Sequence, residues 1–592
     1  MTFLEKIPED PDIVLAWNNL VFKMERPEVF YTHQWALAAS RAFSTQLRIL
    51  TFLFFDSLNL VGIAAMAANR ESPNEIFFLT ASTADYCDIV SEPQIRSAVL
   101  EAFVDETNRI GILTLTLANI PADSHTLRAI GSVARAHKFH LHQRPSYDCG
   151  IISLGDQEQR QVVLQSVIRK ERERRGLKKL GQLGPIRLVH LDMEQSETGL
   201  EPIFDAQILR FLVTNRLSPL LRPDRLLFLK ELAKLLGLAG WLKISQLEVN
   251  GQPIAWNYGF RFSDSWFWYL PTFQAEFEDS SPGSCLLRLI IEEACGDPSV
   301  SRLDLGLGDE AYKARFTNAI SATRYVELSK NTTRHLAVAS RHRLTAFAET
   351  YPAMEKRIRA TREIFCAIQN SVHKIGALAT VTRTLKRARR FVSYKSEVAF
   401  FEAPQIIRAS ENDSHALRPL TSKDIASAAI SYAEDDQTLA YLMRAAQRLR
   451  RGGATGYFLQ GDGPDPCHFL WAGAYKDFYL SEISSKLESG DTQALMLFDC
   501  WTPVSQRGHG HYPRAIRMAA AHLQEQQRAV WIFSAANNES SLSGILKAGF
   551  VYRFSSVRSK TIWQSKLTRH EEAPSNIDRC PAMILRYNST TV

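Results

Sequence analysis

No two of the eight cysteines (Cys87, Cys149, Cys285, Cys295, Cys366, Cys467, Cys500 and Cys580) stand in CxxC spacing. That removes the common zinc-site and disulfide-framework patterns. No stretch reaches the roughly 18 apolar residues that a membrane-spanning helix needs. The N-terminal "MTFLEKIPEDPDIVLAW" is acidic and broken by prolines, with no basic segment ahead of an apolar run, so it does not read as a secretory signal. These absences set the expectation of a reduced, cytoplasmic protein. There is no low-complexity tract, no GxSxG elbow and no Cys–His spacing that would mark a covalent nucleophile. Neither sign of charge dominates: 70 Lys and Arg against 63 Asp and Glu leave a net +7. That excess permits anionic ligands without marking a nucleic-acid binder.

What is present is ample core material. The chain has 592 residues, 45% of them hydrophobic, enough for three or four units at about 150 residues each. "LRILTFLFF" and "LVGIAAMAA" read as two strands, and "SHTLRAIGSVARAH" as a helix with Ser124 as N-cap. "QVVLQSVIRKERERRGLKKLGQLG" reads as one long, charge-rich helix. "EVNGQPIAW" carries a hairpin signal at Asn250 and Gly251. Residues 330–397 hold 15 Lys and Arg against 4 Asp and Glu. Within them, residues 378–392 place Leu378, Val381, Leu385, Ala388 and Val392 on one helical stripe. A packed helical connector and a basic surface for anionic lipid or an acidic partner are both open there. From about 405 the chain restarts as strands alternating with helices.

Two stretches share one design. "SPGSCLLRLIIEEA" (281–294) and "SQRGHGHYPRAIRMAAAHL" (505–523) each feed a small-residue loop into a helix after an apolar strand. Such a turn aims backbone N–H groups and the positive end of a helix outward, which suits a pyrophosphate. In the second stretch Gly508 and Gly510 precede a helix expected to start near Pro513. His509 and His511 form an HxH pair with no third ligand in reach, and read as loop residues.

With "NNESSLSGILKAGF" downstream, the segment from about 415 to 560 resembles the GNAT family of acyl-CoA-dependent N-acetyltransferases. The resemblance rests on Arg507 through Gly510 to Tyr512, and on Asn538, Ser541, Lys547, Gly549 and Phe550. It implies that the backbone of Arg507, Gly508, His509, Gly510, His511 and Tyr512 binds the CoA pyrophosphate, that Asn538 contacts the pantetheine or assists the reaction, and that Ser541 belongs to the cofactor site. Tyr512 replaces the family's last small residue. Ile545 stands where many members carry a tyrosine acid. Asp499, on the strand before the loop, is a candidate general base acting through water, or a solvated strand-end carboxylate.

Residues from about 15 to 330 resemble the CelD/BcsL acetyltransferase family associated with cellulose biosynthesis, which is related to the FemAB peptidyltransferases. The resemblance is carried by "FYTHQWALAASRAF", "TADYCDIV", "VNGQPIAWNYGF" and "LDLGLGDEAYKARF". It implies acetyl-CoA or another acyl-CoA as co-substrate, with Ser281, Gly283 and Ser284 at the donor. Asp309, Glu310 and Lys313 are the candidates for positioning or deprotonating the acceptor. The plain alternative is a helix start, with Asp309 as N-cap and an Asp309–Lys313 ion pair. Leu307 replaces the family's arginine.

The expected fold is α/β (α+β): tandem GNAT-like folds with mixed, mainly antiparallel sheets flanked by helices. The expected domains are 1–330 (lobes of about 1–150 and 151–330), a basic helical connector at 331–400, and a GNAT domain at 401–592. The expected activity is transfer of an acyl group to an amine or hydroxyl acceptor, with no metal. Two alternatives stand beside it: a FemAB-like aminoacyltransferase, with the basic helix from Val162 to Lys179 touching tRNA, and a non-catalytic acyl-CoA-binding scaffold.

Overall fold

The computed structural model describes residues 1–308, 310–350, 394–405, 407, 416–461, 463, 465–487, 491–560 and 565–572. Asp309, Cys366, Cys580 and the basic segment 378–392 lie outside the described residues. The chain divides into two compact units. The first is Met1–Arg210 with Pro219–Thr350, and the second is Phe211–Ser218 with the described residues after 350. Both are mixed α/β, each built on one large sheet flanked by helices.

Among the described strand pairs three are parallel, and all three are made in the same way. In the first unit, strand Glu75–Phe78 leads through helix Arg96–Arg109 to strand Thr114–Pro121. Strand Ser265–Phe273 leads through helix Pro282–Gly296 to strand Arg302–Leu307. In the second unit, strand Leu495–Trp501 leads through helix His511–Gln524 to strand Val530–Ala535. A parallel pair needs such a crossover, because its strands cannot be joined by a tight turn. In each case only three residues pair, for example Leu495–Leu497 with Val530–Ile532. Beyond these residues the two strands do not pair with each other.

The sequence reading sees two of these three devices. The first escapes it because its connecting segment, residues 79–95, contains no glycine to mark the turn. Each sheet is also completed by a strand from far along the chain. Strand Ala319–Ser329 lies between Thr114–Pro121 and His140–Ser153. Strand Tyr394–Glu402 lies between Val530–Ala535 and Val551–Lys560.

Local chemistry explains the elements. Helix His511–Gln524 buries Ala515, Ile516, Ala519, Ala520 and Leu523, a stripe at helical spacing. The Asn250–Gly251 turn has positive φ at both residues and joins Leu242–Val249 to Gln252–Phe262, as the hairpin signal predicts. The expected long helix is instead two, Gln157–Ile168 and Glu171–Gly181. The break lets one chain segment serve both ends of helix Pro282–Gly296. Arg160 donates to the carbonyls of Ala294, Asp297 and Val300 at its C-terminal end. Gly176 lies against its N-terminal end.

Candidate functional site

In the second unit, the parting of Leu495–Trp501 from Val530–Ala535 opens a pocket of about 830 Å³. Its floor is the predicted glycine loop. Gly508 has φ 88° and Gly510 φ 74°, a region that favours glycine. A Cβ at either position would meet nothing within 4 Å, so the space above both is open. The helix begins at His511, two residues before the expected Pro513, and its N-cap Gly510 provides no side-chain cap. Pro513 thus sits in the first turn, where a missing N–H costs no helical bond.

Tyr512, in place of the family's small residue, is accommodated by a second glycine. A Cβ on Gly544 would come within 2.5 Å of the Tyr512 ring. The Tyr512 hydroxyl meets Ser541 Oγ at 3.1 Å. Asn538 caps helix Glu539–Lys547 through its Oδ1, which accepts from Ser541 N at 3.2 Å. Ile545 is fully buried in the apolar core, so the hydroxyl that many GNATs place there has no counterpart. Arg507 donates to Thr502 O at 3.2 Å and stacks on Trp501. His509 and His511 stack at 5.7 Å, and the described residues contain no cluster able to hold a metal.

Asp499 lies in a β-bulge. Phe498 to Trp501 spans three residues, against two from Trp471 to Phe469 on the partner strand, and Asp499 takes φ 46°. Its carboxylate is bound by Arg448 at 2.5 Å. That guanidinium lies over the rings of Trp471 and Phe498. The charge read from sequence as a candidate base is therefore engaged. Burial, with Asp499 beside it, pushes the Cys500 thiol well above its usual range, which disfavours a covalent thiolate.

Sequence reasoning missed His468. It lines the pocket, is 1% exposed, and contacts Thr502 Oγ1 through Nδ1 at 2.7 Å. Its Nε2 has no hydrogen-bond partner among the described residues. Burial, then the neighbouring His511, push its pKa down to about 3, so it is neutral. Nothing in "DPCHFLW" marks it, because its role depends on a neighbouring strand.

In the first unit the corresponding loop is covered by the chain itself. Helix Glu171–Gly181 lies on it. A Cβ on Gly176 would fall 2.4 Å from Ser280 O and 2.8 Å from Cys285 Sγ. Arg172 Nε donates to Ser281 Oγ at 2.9 Å. Gly283 faces Phe273, and Arg315 bridges Ser284 Oγ to Glu173. Glu173 is 1% exposed and lies near enough to the first helical turn that its charge, after burial, helps push the Cys285 thiol up to about 12. A protein carboxylate therefore occupies the neighbourhood assigned from sequence to an anionic ligand. On this helix Arg174 and Arg175 are also paired with Glu171.

The "GDEAYKARF" segment forms a 3-10 turn, Lys313–Arg315, rather than a short α-helix. Lys313 is 6% exposed, and pairs with Glu310 at 2.8 Å. Its Nζ donates to Leu307 O at 2.6 Å. It ties down the end of strand Arg302–Leu307, next to Asp304. Asp304 accepts from Tyr86 at 2.8 Å, from Gly306 N at 2.9 Å and from Arg26 at 3.4 Å.

Residues 169–314 match the family described as acetyltransferase (GNAT) domain, so this stretch carries a GNAT-type domain. No curated protein sequence matches the chain. Among solved structures, FemX is similar at 9% identity, covering 55% of this chain and 97% of its own, with a TM-score of 0.39. A tandem GNAT protein from the clavulanic acid biosynthesis pathway is 11% identical, covering 55% and 97%, with a TM-score of 0.32. A GNAT-family acetyltransferase from Colwellia psychrerythraea is 11% identical, covering 65% and 100%, with a TM-score of 0.21. No described helix is long and apolar enough to cross a membrane.

Proposed function

We propose that the protein transfers an acyl group from acyl-CoA to an amine or hydroxyl acceptor, and that the donor binds in the second unit. The observation that carries this reading is the open pocket between the parting strands, with its two positive-φ glycines and a helix N-terminus whose N-cap, Gly510, has no side chain to cap it. Backbone N–H groups of 508–512 and the helix dipole take the pyrophosphate. The pantetheine runs between the strands, past Asn538 and Ser541. The bulge at Asp499 interrupts the ladder beside the pocket, where strand backbone can meet the thioester carbonyl.

The chemistry is direct transfer. The acceptor nitrogen or oxygen attacks the carbonyl carbon, the C–S bond breaks, the acceptor loses its proton and the thiolate gains one. Alignment of the two reactants supplies much of the rate, so no nucleophilic side chain is required. Neutral His468, with its unpartnered Nε2, can accept a hydrogen bond from the acceptor or from a relaying water.

Calorimetry of the full chain with CoA and acetyl-CoA tests the donor, and thiol release with a panel of amines tests the transfer. Binding weakened about a hundredfold by Gly510→Asp supports the reading. Absence of CoA binding by the unaltered chain refutes it.

A further inference from the structure

The first unit contains a second cavity, of about 260 Å³, between the loop that follows strand Glu75–Phe78 and the strands Ser265–Phe273 and Arg302–Leu307. It is walled by the loop 81–85, by helix residues Gln207, Arg225 and Leu229, and by Tyr269 and Leu307. The loop is fixed from behind. Tyr269 donates to Thr83 O at 2.6 Å, and Arg225 donates to Ser82 O at 2.9 Å.

Two groups in this wall have unspent chemistry. Gln207 is 5% exposed, and its Oε1 has no hydrogen-bond partner among the described residues. A buried carbonyl oxygen without a donor costs stability, and such a cost persists where a ligand supplies the missing bond. Asp85 is the second. Its carboxylate packs where a Gly306 Cβ would sit, 2.6 Å from Oδ2, so Gly306, at φ 71°, makes room for it. Its surface is only partly covered, and the cavity lies on the open side. Burial, with Asp304 next, raises its carboxyl to about 7, although Lys313 and the Leu307 N–H lower it. A carboxyl that gains and loses a proton near neutrality is suited to exchange one with a bound amine or hydroxyl.

We infer that this cavity binds a small molecule that presents an N–H or O–H donor to Gln207 Oε1, with its amine or hydroxyl beside Asp85. The inference rests on the acyltransferase reading only in identifying that molecule with the acceptor. Binding itself needs no acyl donor. Lys313 then has a positioning role: it holds Leu307 O, and the N–H of the same residue is among the groups that lower the Asp85 carboxyl.

The test uses the full chain without acyl-CoA. Saturation-transfer NMR is recorded with ethanolamine, glycerol and L-serine as probes, which offer an amine with one hydroxyl, hydroxyls alone, and an amine with a carboxylate for Arg225. At least one probe should bind. Gln207→Met, which removes the orphaned oxygen at similar volume, should weaken it tenfold or more while leaving Tm unchanged or raised. Ethanolamine binding should strengthen as pH rises through about 7. Asp85→Asn should flatten that rise, although Asp304, Lys313, Glu28, Tyr269, Cys87 and Cys149 also act on this carboxyl, Arg225 lines the same cavity, and all remain.

Four results overturn the inference: no binding by any of the three probes, wild-type binding by Gln207→Met, a lowered Tm in that variant, which would make Gln207 a packing residue, or an unchanged pH dependence in Asp85→Asn. Because no CoA is present, these failures are separate from failure of the donor site.

Discussion

Helices Pro282–Gly296 and His511–Gln524 are reached by the same strand-and-loop path, yet their N-termini face different things. Over the first lies helix Glu171–Gly181, with Glu173 buried near Ser284 and Arg172 bonded to Ser281. Over the second lies open space above Gly508 and Gly510. The difference comes from neighbours rather than from the loops. A glycine in the covering segment, Gly176, brings one helix against the first loop. In the second unit the glycine at close quarters, Gly544, instead accepts the ring of Tyr512 from inside the fold. A loop motif therefore predicts an anion cradle only where nothing else in the chain claims its donors.

The sharpest way to break this comparison is to block each loop in turn. Gly510→Asp puts a carboxylate into the open cradle and should weaken CoA by about 3 kcal/mol, roughly a hundredfold in Kd, by calorimetry. Gly283→Asp in the covered loop should leave CoA affinity unchanged. Equal losses from both would make the two loops equivalent.

Next in size are the two close approaches. Gly176→Ala drives a methyl onto the Ser280 backbone oxygen, and should cost the first unit about 2 kcal/mol in denaturant unfolding. Gly544→Ala meets a ring instead. Its cost of about 1–2 kcal/mol should be largely relieved in Gly544→Ala/Tyr512→Ala, because the clashing group is then gone. A double variant no better than the sum of its parts would contradict the packing described.

The two units should also differ in their response to pH. Folding raises the Asp85 carboxyl from 3.8 to about 7, so the folded state holds that proton more tightly than the unfolded chain does. The associated stability is full below pH 3.8 and is lost as pH climbs through 7. Asp85→Asn should flatten this decline, and at pH 8 should stabilise the first unit by on the order of 2 kcal/mol. His468 behaves in the opposite sense. Its lowered pKa means the unfolded state takes the proton first, so its contribution is present above pH 6.5 and fades as pH falls towards 3. His468→Gln should therefore reduce the loss of stability of the second unit on acidification below pH 6, a smaller effect read from Tm against pH.

Much of the fold was legible because its signals are local. Asn250–Gly251 forces a hairpin, Gly508 and Gly510 force a left-handed loop, and the alanine-rich stripe of His511–Gln524 marks a buried helix face. What was not legible depends on partners far apart in sequence. Strand Ala319–Ser329 pairs with residues nearly two hundred positions earlier. "TADYCDIV" holds no apolar run that marks burial, yet Tyr86, Cys87 and Asp88 are buried, and Asp88 is bonded to Ser124 and Thr126. Lys313 was legible as a distinctive residue, with an ion pair to Asp309 as one of its two open readings; Asp309 lies outside the described residues, and among these Lys313 bonds Glu310 and a backbone carbonyl. Residue type and spacing identified the segment, while the identity of each partner came from topology.

Hydrogen–deuterium exchange of the full chain with and without CoA reads both loops in one measurement. Slowed exchange is expected in 507–512 and at the start of helix Glu539–Lys547, with 281–285 unchanged. Slowed exchange at 281–285, with 507–512 unaffected, would contradict that expectation.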